Sequence, residues 1–113
     1  MKKDDCIFCK IANKVIPAEF IVETDDYVAF KDVHPRSPVH VLVIPKEHFE
    51  TLNEVNSVEL LGKLLDGVKQ VAKKLGVEDG YRTVINTGKK SGQEVFHVHL
   101  HLMAGRPFSW PPG

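Results

Sequence analysis

Residues 95–103 of this 113-residue chain read VFHVHLHLM, and this alternating run decides the fold that we expect. Residues two apart on a β-strand point to the same side. His97, His99 and His101 would therefore share one face, while the aliphatic residues 98, 100 and 102 share the other. The pattern predicts a strand with its aliphatic side in the core and its imidazole side facing water in a site. The alternative is a solvated strand that carries histidines by chance.

Three neighbouring imidazoles favour two kinds of chemistry. Histidine is the commonest metal ligand, so three of them could hold a catalytic zinc that activates water. Alternatively, one neutral imidazole attacks phosphorus or an acyl carbon, since the reference pKa of histidine is about 6.5. A flat strand holds the rings too far apart for one zinc with Zn–N bonds of about 2.0–2.1 Å. His99 is then the natural nucleophile, because it has an imidazole on each side.

The rest of the sequence predicts an α+β fold. A short helix is expected at 6–16, and a long helix from an Asn56 cap to Gly76. The apolar face of the long helix consists of Val58, Leu61, Leu65, Val68, Ala72 and Leu75. Runs of β-prone residues predict strands at 20–23, 27–30, 39–44, 81–86 and 95–103. We expect a five-stranded antiparallel sheet with the long helix on one face, in one domain over residues 1–113 that ends in an irregular tail at 104–113.

Composition narrows the class of protein. With 15 basic and 15 acidic side chains the formal net charge is zero, which argues against a general nucleic-acid binder. No apolar run approaches the roughly 18 residues of a membrane span. The N-terminus lacks the apolar segment of a signal peptide. We therefore expect a cytoplasmic protein that contacts neither nucleic acid nor membrane.

Cys6 and Cys9 have the two-residue spacing of half a zinc site. A structural site needs two more ligands, for which His48 and His97 are the best candidates. His97 would anchor the strand without using its central ring. Two thiolates and two neutral imidazoles would leave bound Zn²⁺ without net charge, so the zinc would hold geometry and no cofactor would be required for the chemical step. The alternatives are reduced, buried cysteines or a redox pair.

The histidine run resembles the signature of the histidine triad (HIT) family of nucleotide hydrolases and transferases. The similarity covers almost the whole chain and includes residues 16–18 (IPA), His40 and residues 43–46 (VIPK). The C-terminal sequence 110–113 (WPPG) is similar to the Hint-type branch, the purine nucleoside phosphoramidases. In members of the wider superfamily that bind zinc, the ligands match Cys6, Cys9, His48 and His97.

The resemblance implies a HIT-like fold and a homodimer whose two sheets join into one. It implies that His99 attacks the α-phosphorus of a purine nucleoside phosphoramidate or acyl-nucleotide and forms a nucleotidyl-histidine, which water hydrolyses. His101 would contact the phosphoryl oxygens, and His40 and His97 would complete the catalytic cluster. The residues implied to bind the nucleotide are Ile7, Phe8, Ile11, Ile16, Phe30, Asp32, Val33, Asn86, Gln93, Glu94 and Val95.

Within this set, Asp32 would hold the ribose hydroxyls, and Asn86 and Gln93 would bind the phosphate or position the site. Glu94 is a departure, because many Hint-type members have there a serine that contacts the leaving group. A carboxylate would repel the phosphate, protonate a departing amine or bind a cationic substituent. Three other functions stay open: dinucleoside polyphosphate hydrolysis or nucleotidyl transfer, non-catalytic nucleotide binding as a regulatory module, and metal-dependent hydrolysis.

Overall fold

The computed structural model describes residues 3–113 and confirms the predicted α+β fold, a five-stranded antiparallel sheet with two α-helices. The helices are α1 (Ile7–Ala12) and α2 (Val58–Leu75). The strands are β1 (Phe20–Glu23), β2 (Tyr27–Lys31), β3 (Val39–Pro45), β4 (Tyr81–Val84) and β5 (Leu100–Ala104). Short 3-10 turns lie at Leu52–Glu54 and Lys89–Ser91. The order of strands across the sheet is β1-β2-β3-β5-β4.

β3 is the central strand, since it pairs with β2 on one side and with β5 on the other, both antiparallel. In the β3–β5 register, His40 lies opposite Met103 and Leu42 opposite His101. His40 and His101 are therefore diagonal neighbours on one face of the sheet, where aromatic side chains can touch. The pairing brings together two histidines that are 61 positions apart in the chain.

The sheet carries one helix on each face, because successive strand residues point to opposite sides. The long helix packs on one face, as expected. The buried residues of that layer are Tyr27, Ala29, Val41, Val43, Leu64, Val68, Val71, Ala72, Leu100, Leu102 and Ala104. The buried residues of the α1 layer are Cys6, Phe8, Cys9, Ala12, Val28, Phe30, Leu42 and Ile44. His40 and His101 share the face of Leu42, so they lie on the same side of the sheet as α1.

The buried face of α2 agrees with the prediction at Val68 and Ala72 and differs from it elsewhere. Two residues of the predicted face, Val58 and Leu65, are 82% and 51% exposed. Apolar residues form two neighbouring stripes along this helix. The stripe that contains Gly67 is the one that packs against the sheet. A Cβ at Gly67 would lie 2.8 Å from the Tyr27 ring, which shows how closely helix and sheet approach. The buried residues of the helix are Leu64, Gly67, Val68, Val71 and Ala72.

Local capping interactions determine where the helices begin and end. α2 begins after Ser57, whose hydroxyl accepts the N–H of Leu60 at 3.0 Å, so the predicted cap at Asn56 is wrong by one residue. The helix ends at Gly76 as predicted, in the left-handed conformation with φ of 72°. α1 is shorter than the predicted helix at 6–16, because the chain turns away through Lys14, whose φ is 63°.

The strand boundaries differ most at the histidine run. β5 begins at Leu100 instead of position 95, and β4 ends at position 84 instead of 86. The neighbouring strand β3 ends at Pro45, which has no N–H and cannot extend the ladder. Residues 95–99 therefore lie outside the sheet, and the N–H of Val98 donates to the carbonyl oxygen of Phe49 at 2.7 Å.

The segment after β5 has neither helix nor strand. Ala104 still belongs to β5, so the irregular tail starts one residue later than predicted. The guanidinium groups of Arg82 and Arg106 both lie over the ring of Phe108, with their central carbons 5.1 and 4.2 Å from the ring centroid. This stacking holds the tail against β4 and leaves Trp110 83% exposed.

We expect Gly67→Ala to destabilise the fold and Gly62→Ala, its control in the same helix, to stabilise it. The Cβ added at Gly67 would lie 2.8 Å from Tyr27 Cε1 and 3.2 Å from Val43 Cγ1. Helix and sheet must then separate, at a cost of about 1–3 kcal/mol. A Cβ at Gly62 meets open space, so alanine there adds up to about 1 kcal/mol of helix propensity. Urea unfolding measures both; equal free energies of unfolding for the two variants would contradict this packing.

Candidate catalytic and metal-binding site

The three histidines of the run lie on the α1 side of the sheet but do not share one strand. His101 is in β5, whereas His97 and His99 belong to the irregular segment before it. The ring centroid of Phe8 lies 5.1 Å from that of His99 and 6.0 Å from that of His97, and the His99 and His101 rings are 4.9 Å apart. His97 is 0% and His99 7% exposed. The expectation that the rings face water is therefore wrong for His97 and His99, which Phe8 of α1 covers, whereas His101 is half-buried. A solvated strand with chance histidines is wrong as well.

His97 belongs to a cluster of side chains that bind metals. Its Nδ1 lies 3.3 Å from Cys6 Sγ, 3.4 Å from Cys9 Sγ and 3.2 Å from His48 Nδ1. Its Nε2 lies 2.8 Å from the carbonyl oxygen of Pro45, which only accepts, so the proton is on Nε2 and a lone pair on Nδ1 faces the cluster. Burial lowers the pKa of His97 to about 4, which keeps the ring neutral.

The four ligand atoms fit a tetrahedral metal ion and lie within 4.8 Å of one another. Bonds of about 2.0–2.1 Å to nitrogen and 2.3 Å to sulfur make tetrahedral edges of about 3.3–3.8 Å. The observed contacts of His97 Nδ1, at 3.2–3.4 Å, are close to these edges. Cys6 Sγ accepts the N–H of Cys9 at 3.3 Å, and Cys9 Sγ accepts the N–H of Lys3 at 3.4 Å. Burial raises the pKa of the Cys9 thiol, so a bound cation would supply the charge that ionises it.

His99 is held in the tautomer that a nucleophile needs. Its Nδ1 lies 2.8 Å from the carbonyl oxygen of His97, so Nδ1 carries the proton and Nε2 carries a lone pair. Burial lowers the pKa of His99, and the hydrogen bond and the carboxylates of Asp32 and Glu94 oppose this only in part. The ring is therefore neutral, with a basic nitrogen at Nε2, near pH 7.

A chain of hydrogen bonds determines which ring nitrogen carries the proton in His40 and in His101. The N–H of Arg36 donates to His40 Nδ1 at 3.0 Å, which places the His40 proton on Nε2. This nitrogen lies 2.9 Å from His101 Nδ1, so His101 accepts there and carries its own proton on Nε2. His101 Nε2 is buried and has no hydrogen-bond partner within residues 3–113. The site thus presents an unused N–H donor next to the ring of His99.

The protonation of these ring nitrogens also argues against a second metal site. The ligand atoms of Asp32, His40 and His101 lie within 4.8 Å of one another, with 3.5 Å between His40 Nε2 and Asp32 Oδ2. A metal would need a lone pair on His40 Nε2, but the N–H of Arg36 already takes the one lone pair of this neutral ring at Nδ1. Because His97 faces thiols and His101 faces His40, one zinc held by all three triad rings is also wrong.

The residues predicted to bind a nucleotide are unevenly placed around this site. Phe8 and Phe30 are buried and pack edge to face, with ring centroids 5.8 Å apart. Asp32 Oδ1 accepts the N–H of His34 at 2.8 Å, while Oδ2 points towards His40. The half-buried residues of the set are Ile11, Ile16, Asp32, Asn86 and Val95, and the exposed ones are Ile7, Val33 and Glu94. The two aromatic rings therefore form the buried wall of the predicted slot.

Gln93 is buried and braces the loop between β4 and β5. Its Nε2 donates to the carbonyl oxygens of Glu50 at 2.7 Å and Val95 at 3.0 Å, and its Oε1 accepts the N–H of Gly88 at 2.8 Å. Both amide hydrogens are thus used within the protein. This geometry supports a positioning role and leaves no donor for a phosphate.

Two cavities lie apart from the histidine cluster. One of about 440 Å³ is lined by Ile16, Phe20 and neighbouring residues, and another of about 460 Å³ lies around Asp26, Phe49 and Lys63. No histidine lines either cavity. These two cavities are therefore separate from the candidate site.

Sequence reasoning missed the backbone groups that set the tautomers. The N–H of Arg36 and the carbonyl oxygens of Pro45 and His97 decide which nitrogen of each ring is protonated. Such groups occur at nearly every residue, so no side-chain pattern marks them. Only the path of the backbone in the folded chain identifies them.

Comparison with known proteins agrees with this geometry. A model of the HIT domain family matches residues 13–108. An uncharacterized HIT-like protein of Synechocystis is 52% identical over 112 residues, which cover 97% of this chain and 98% of that protein. A 14 kDa zinc-binding protein of Zea mays is 45% identical over 111 residues, 95% of this chain and 87% of that protein. The crystal structure of a HIT family hydrolase from Legionella pneumophila superposes with a TM-score of 0.92 at 47% identity, covering 96% of this chain and 100% of that one.

We expect His101→Gln to weaken the loss of stability in acid. Burial lowers the pKa of folded His101 to about 4, below the value of about 6.5 in an unfolded chain. At pH values between these two numbers, the unfolded state binds a proton at His101 and the folded state does not. The free energy of unfolding therefore falls as the pH drops through that range. Each such group changes the free energy of unfolding by up to about 1.4 kcal/mol per pH unit. Glutamine removes this slope while its carbonyl still accepts from His40.

Urea unfolding at several pH values between 4 and 7 measures this effect. The exposed His34 provides the control variant His34→Gln, which should keep the slope of the unmodified protein. Equal slopes in all three proteins would contradict a buried, neutral His101.

Proposed function

This chain belongs to the HIT domain family, and on that premise we propose that it is a hydrolase of the Hint-type branch that cleaves purine nucleoside phosphoramidates through a nucleotidyl-histidine. The observation that carries the proposal is the tautomer of His99. Its Nδ1–H is bound to the carbonyl oxygen of His97, which leaves a lone pair on Nε2 beside the N–H donor of His101. A neutral nucleophile next to a free donor suits attack on an anionic phosphorus centre.

The chemistry proceeds in two displacements at phosphorus. His99 Nε2 forms a bond to the α-phosphorus while the P–N bond breaks, and the amine leaves after taking a proton at the exposed side of the site. Water then attacks the nucleotidyl-histidine, loses a proton and releases a nucleoside monophosphate and neutral His99. The Nε2–H of His101 donates to a non-bridging phosphoryl oxygen in both steps. His40 keeps that proton in place because its own Nε2–H occupies His101 Nδ1.

The nucleoside end of the substrate is placed by the remaining predicted residues. Phe8 and Phe30 support the purine, and Asp32 Oδ2 accepts from the ribose hydroxyls. Gln93 positions the loop, and Glu94, which is exposed, faces the leaving group. The other members of the proposed nucleotide site are Ile7, Ile11, Ile16, Val33, Asn86 and Val95.

We propose that the metal of the Cys6, Cys9, His48 and His97 cluster is zinc. Two thiols and two imidazoles are a zinc donor set, and the Zea mays relative is named as zinc-binding. Bound zinc would link these four residues to one another and would take no part in the displacement at phosphorus. In this arrangement Cys6 and Cys9 fasten α1, and His97 fixes the segment that carries the nucleophile.

A homodimer belongs to the same proposal. β4 is an edge strand whose outer side is unpaired within residues 3–113, and an exposed edge can pair with a second copy to extend the sheet. Val58, Leu65 and Trp110 are exposed apolar residues that a partner would cover. Neither helix among the described residues has the length and apolarity of a membrane span. The free thiols of the cluster fit the reducing cytoplasm that we expect.

His99→Ala should reduce turnover of an adenosine phosphoramidate by at least about a thousandfold, because it removes the attacking nitrogen. Binding of adenosine monophosphate should change little, since the ring wall of Phe8 and Phe30 stays. Steady-state kinetics and calorimetry measure the two effects. With the unmodified enzyme, quenched-flow mass spectrometry should place a nucleotidyl group on the peptide that contains His99.

The exposed His34 again supplies the control, because His34→Ala should leave turnover unchanged. Turnover that survives in His99→Ala, or an adduct on another peptide, would refute the role of His99. A dinucleoside polyphosphate cleaved faster than the phosphoramidate would move the chain to another branch of the family. Binding of the monophosphate with no turnover of either substrate would instead favour a regulatory module.

Zinc removal is expected to destabilise the protein. We expect one zinc per chain in the purified protein and a thermal midpoint about 10 °C lower after chelation, because a ligand that binds only the folded state stabilises that state. His48→Asn should weaken zinc binding and lower the midpoint in the same direction, whereas His34→Asn should do neither. Atomic absorption and calorimetry provide the measurements. If the purified protein contains no metal and His48→Asn leaves the thermal midpoint unchanged, the cluster is not a zinc site.

A further inference from the structure

We infer that Cys6 and Cys9 form a redox-sensitive latch, in which hydrogen peroxide converts the two thiols to a disulfide, releases the metal and frees α1 from His99. The expected consequence is weaker nucleotide binding. The inference rests on the proposed function, because it concerns the zinc and the nucleotide slot named there. It adds a modification site and a means of regulation to that function.

α1 depends on its two sulfur atoms for its place in the fold. The helix has six residues, and helices this short are not stable on their own in water. Cys6 is its N-cap, and Cys9 lies one turn later. Both sulfurs contact His97 Nδ1, at 3.3 and 3.4 Å, and Cys9 Sγ also lies 3.3 Å from His48 Nδ1. These contacts tie the helix to two distant segments of the chain, and a bound metal would strengthen that link.

The two thiols are positioned to react with each other. Cys6 Sγ accepts the N–H of Cys9 at 3.3 Å, so both sulfurs lie at the first turn of the helix. All ligand atoms of the cluster, including the two sulfurs, lie within 4.8 Å of one another. A disulfide needs about 2.05 Å between sulfurs, so the sulfurs must move together and away from the histidines. Disulfide formation and metal binding are therefore mutually exclusive.

The turn that carries the thiols also carries the contact to the nucleophile. Phe8 lies between the two cysteines in sequence, and its ring packs edge to face on His99, on His97 and on Phe30. His97 adds a second route, because its ring contacts the thiols and its carbonyl oxygen holds His99 Nδ1–H. Loss of the metal thus loosens both the ring wall and the backbone that orients the nucleophile. The coupling runs through direct contacts only.

The oxidation balances with peroxide as the oxidant. Two metal-bound thiolates give two electrons to the O–O bond of one hydrogen peroxide, which leaves as two hydroxide ions while the S–S bond forms and the metal ion is released. Residues 3–5, which precede the helix, are exposed, and Cys6 itself is 8% exposed, so peroxide has a route to this thiol. A dithiol reductant reverses the step, and added zinc then restores the cluster.

The experiment treats the zinc-loaded full chain with hydrogen peroxide. A chromogenic chelator measures released zinc, peptide mass spectrometry detects the Cys6–Cys9 disulfide, and calorimetry measures adenosine monophosphate affinity. We expect one zinc per disulfide and a loss of affinity of about tenfold. Hydrogen exchange should increase in α1 and stay unchanged in α2. Dithiothreitol with zinc should restore all three signals.

Two matched arms separate metal loss from disulfide formation. Chelation without oxidant should weaken nucleotide binding to a similar extent, since the latch opens when the metal leaves. In Cys6→Ser, peroxide should form no intramolecular disulfide. Because that variant can fail to fold, the reversible cycle of the unmodified protein is the decisive measurement.

Three outcomes would overturn the inference: a disulfide that leaves nucleotide affinity unchanged, oxygen addition to the thiols without a disulfide, or equal loss of protection in α1 and α2. The proposed function fails separately, if the reduced, zinc-loaded chain binds no nucleotide at all. Increased exchange in α1 after oxidation would still support the latch in that case.

Discussion

His97 ties three parts of the molecule together, because each of its polar groups faces a different segment. Its Nδ1 meets the thiols of Cys6 and Cys9, its Nε2–H donates to Pro45 at the end of β3, and its carbonyl oxygen accepts from His99. The ring is fully buried. A buried polar group left without a partner costs about 1–3 kcal/mol, so none of these bonds can be given up freely. The short helix, the central strand and the ring of His99 are therefore positioned by one residue.

Neutral histidines make this arrangement possible. Protonated rings at these separations would repel one another, and burial lowers the pKa of His97 and His101 to about 4. A neutral imidazole has one donor and one acceptor, so a single backbone contact on one nitrogen decides the state of the other. The N–H of Arg36 fixes the tautomer of His40, and His40 in turn fixes the tautomer of His101. The N–H donor of His101 and the lone pair of His99 are thus held in fixed positions by the fold, and fixed dipoles of this kind are the ones that can stabilise developing charge.

The two faces of the sheet serve different purposes. The α2 face is a hydrocarbon core whose closest approach is set by Gly67 against Tyr27, and it contains no histidine. The α1 face carries the histidines, the thiols and the two aromatic rings beneath a helix of six residues. An 18-residue helix over a large core holds the fold by packing, whereas α1 needs side-chain ties at its first turn. Stability and chemistry are consequently separated by the thickness of one sheet.

The alternating run 95–103, the turn residues and the cysteine spacing were enough to predict the fold class, the order of the elements and the pairing of Cys6 with Cys9, because side-chain periodicity is a local property of the chain. His48 and His97 were assigned to the cluster by a choice among the histidines of the chain and by the family resemblance. Only the tertiary structure decided which stripe of α2 is buried, that β5 begins at Leu100, and that His97 and His99 are covered instead of facing water. It alone also decided which nitrogen of each ring holds the proton. The physical reason is that burial and tautomers depend on backbone groups from distant segments, which every residue type carries alike and which the order of side chains does not record.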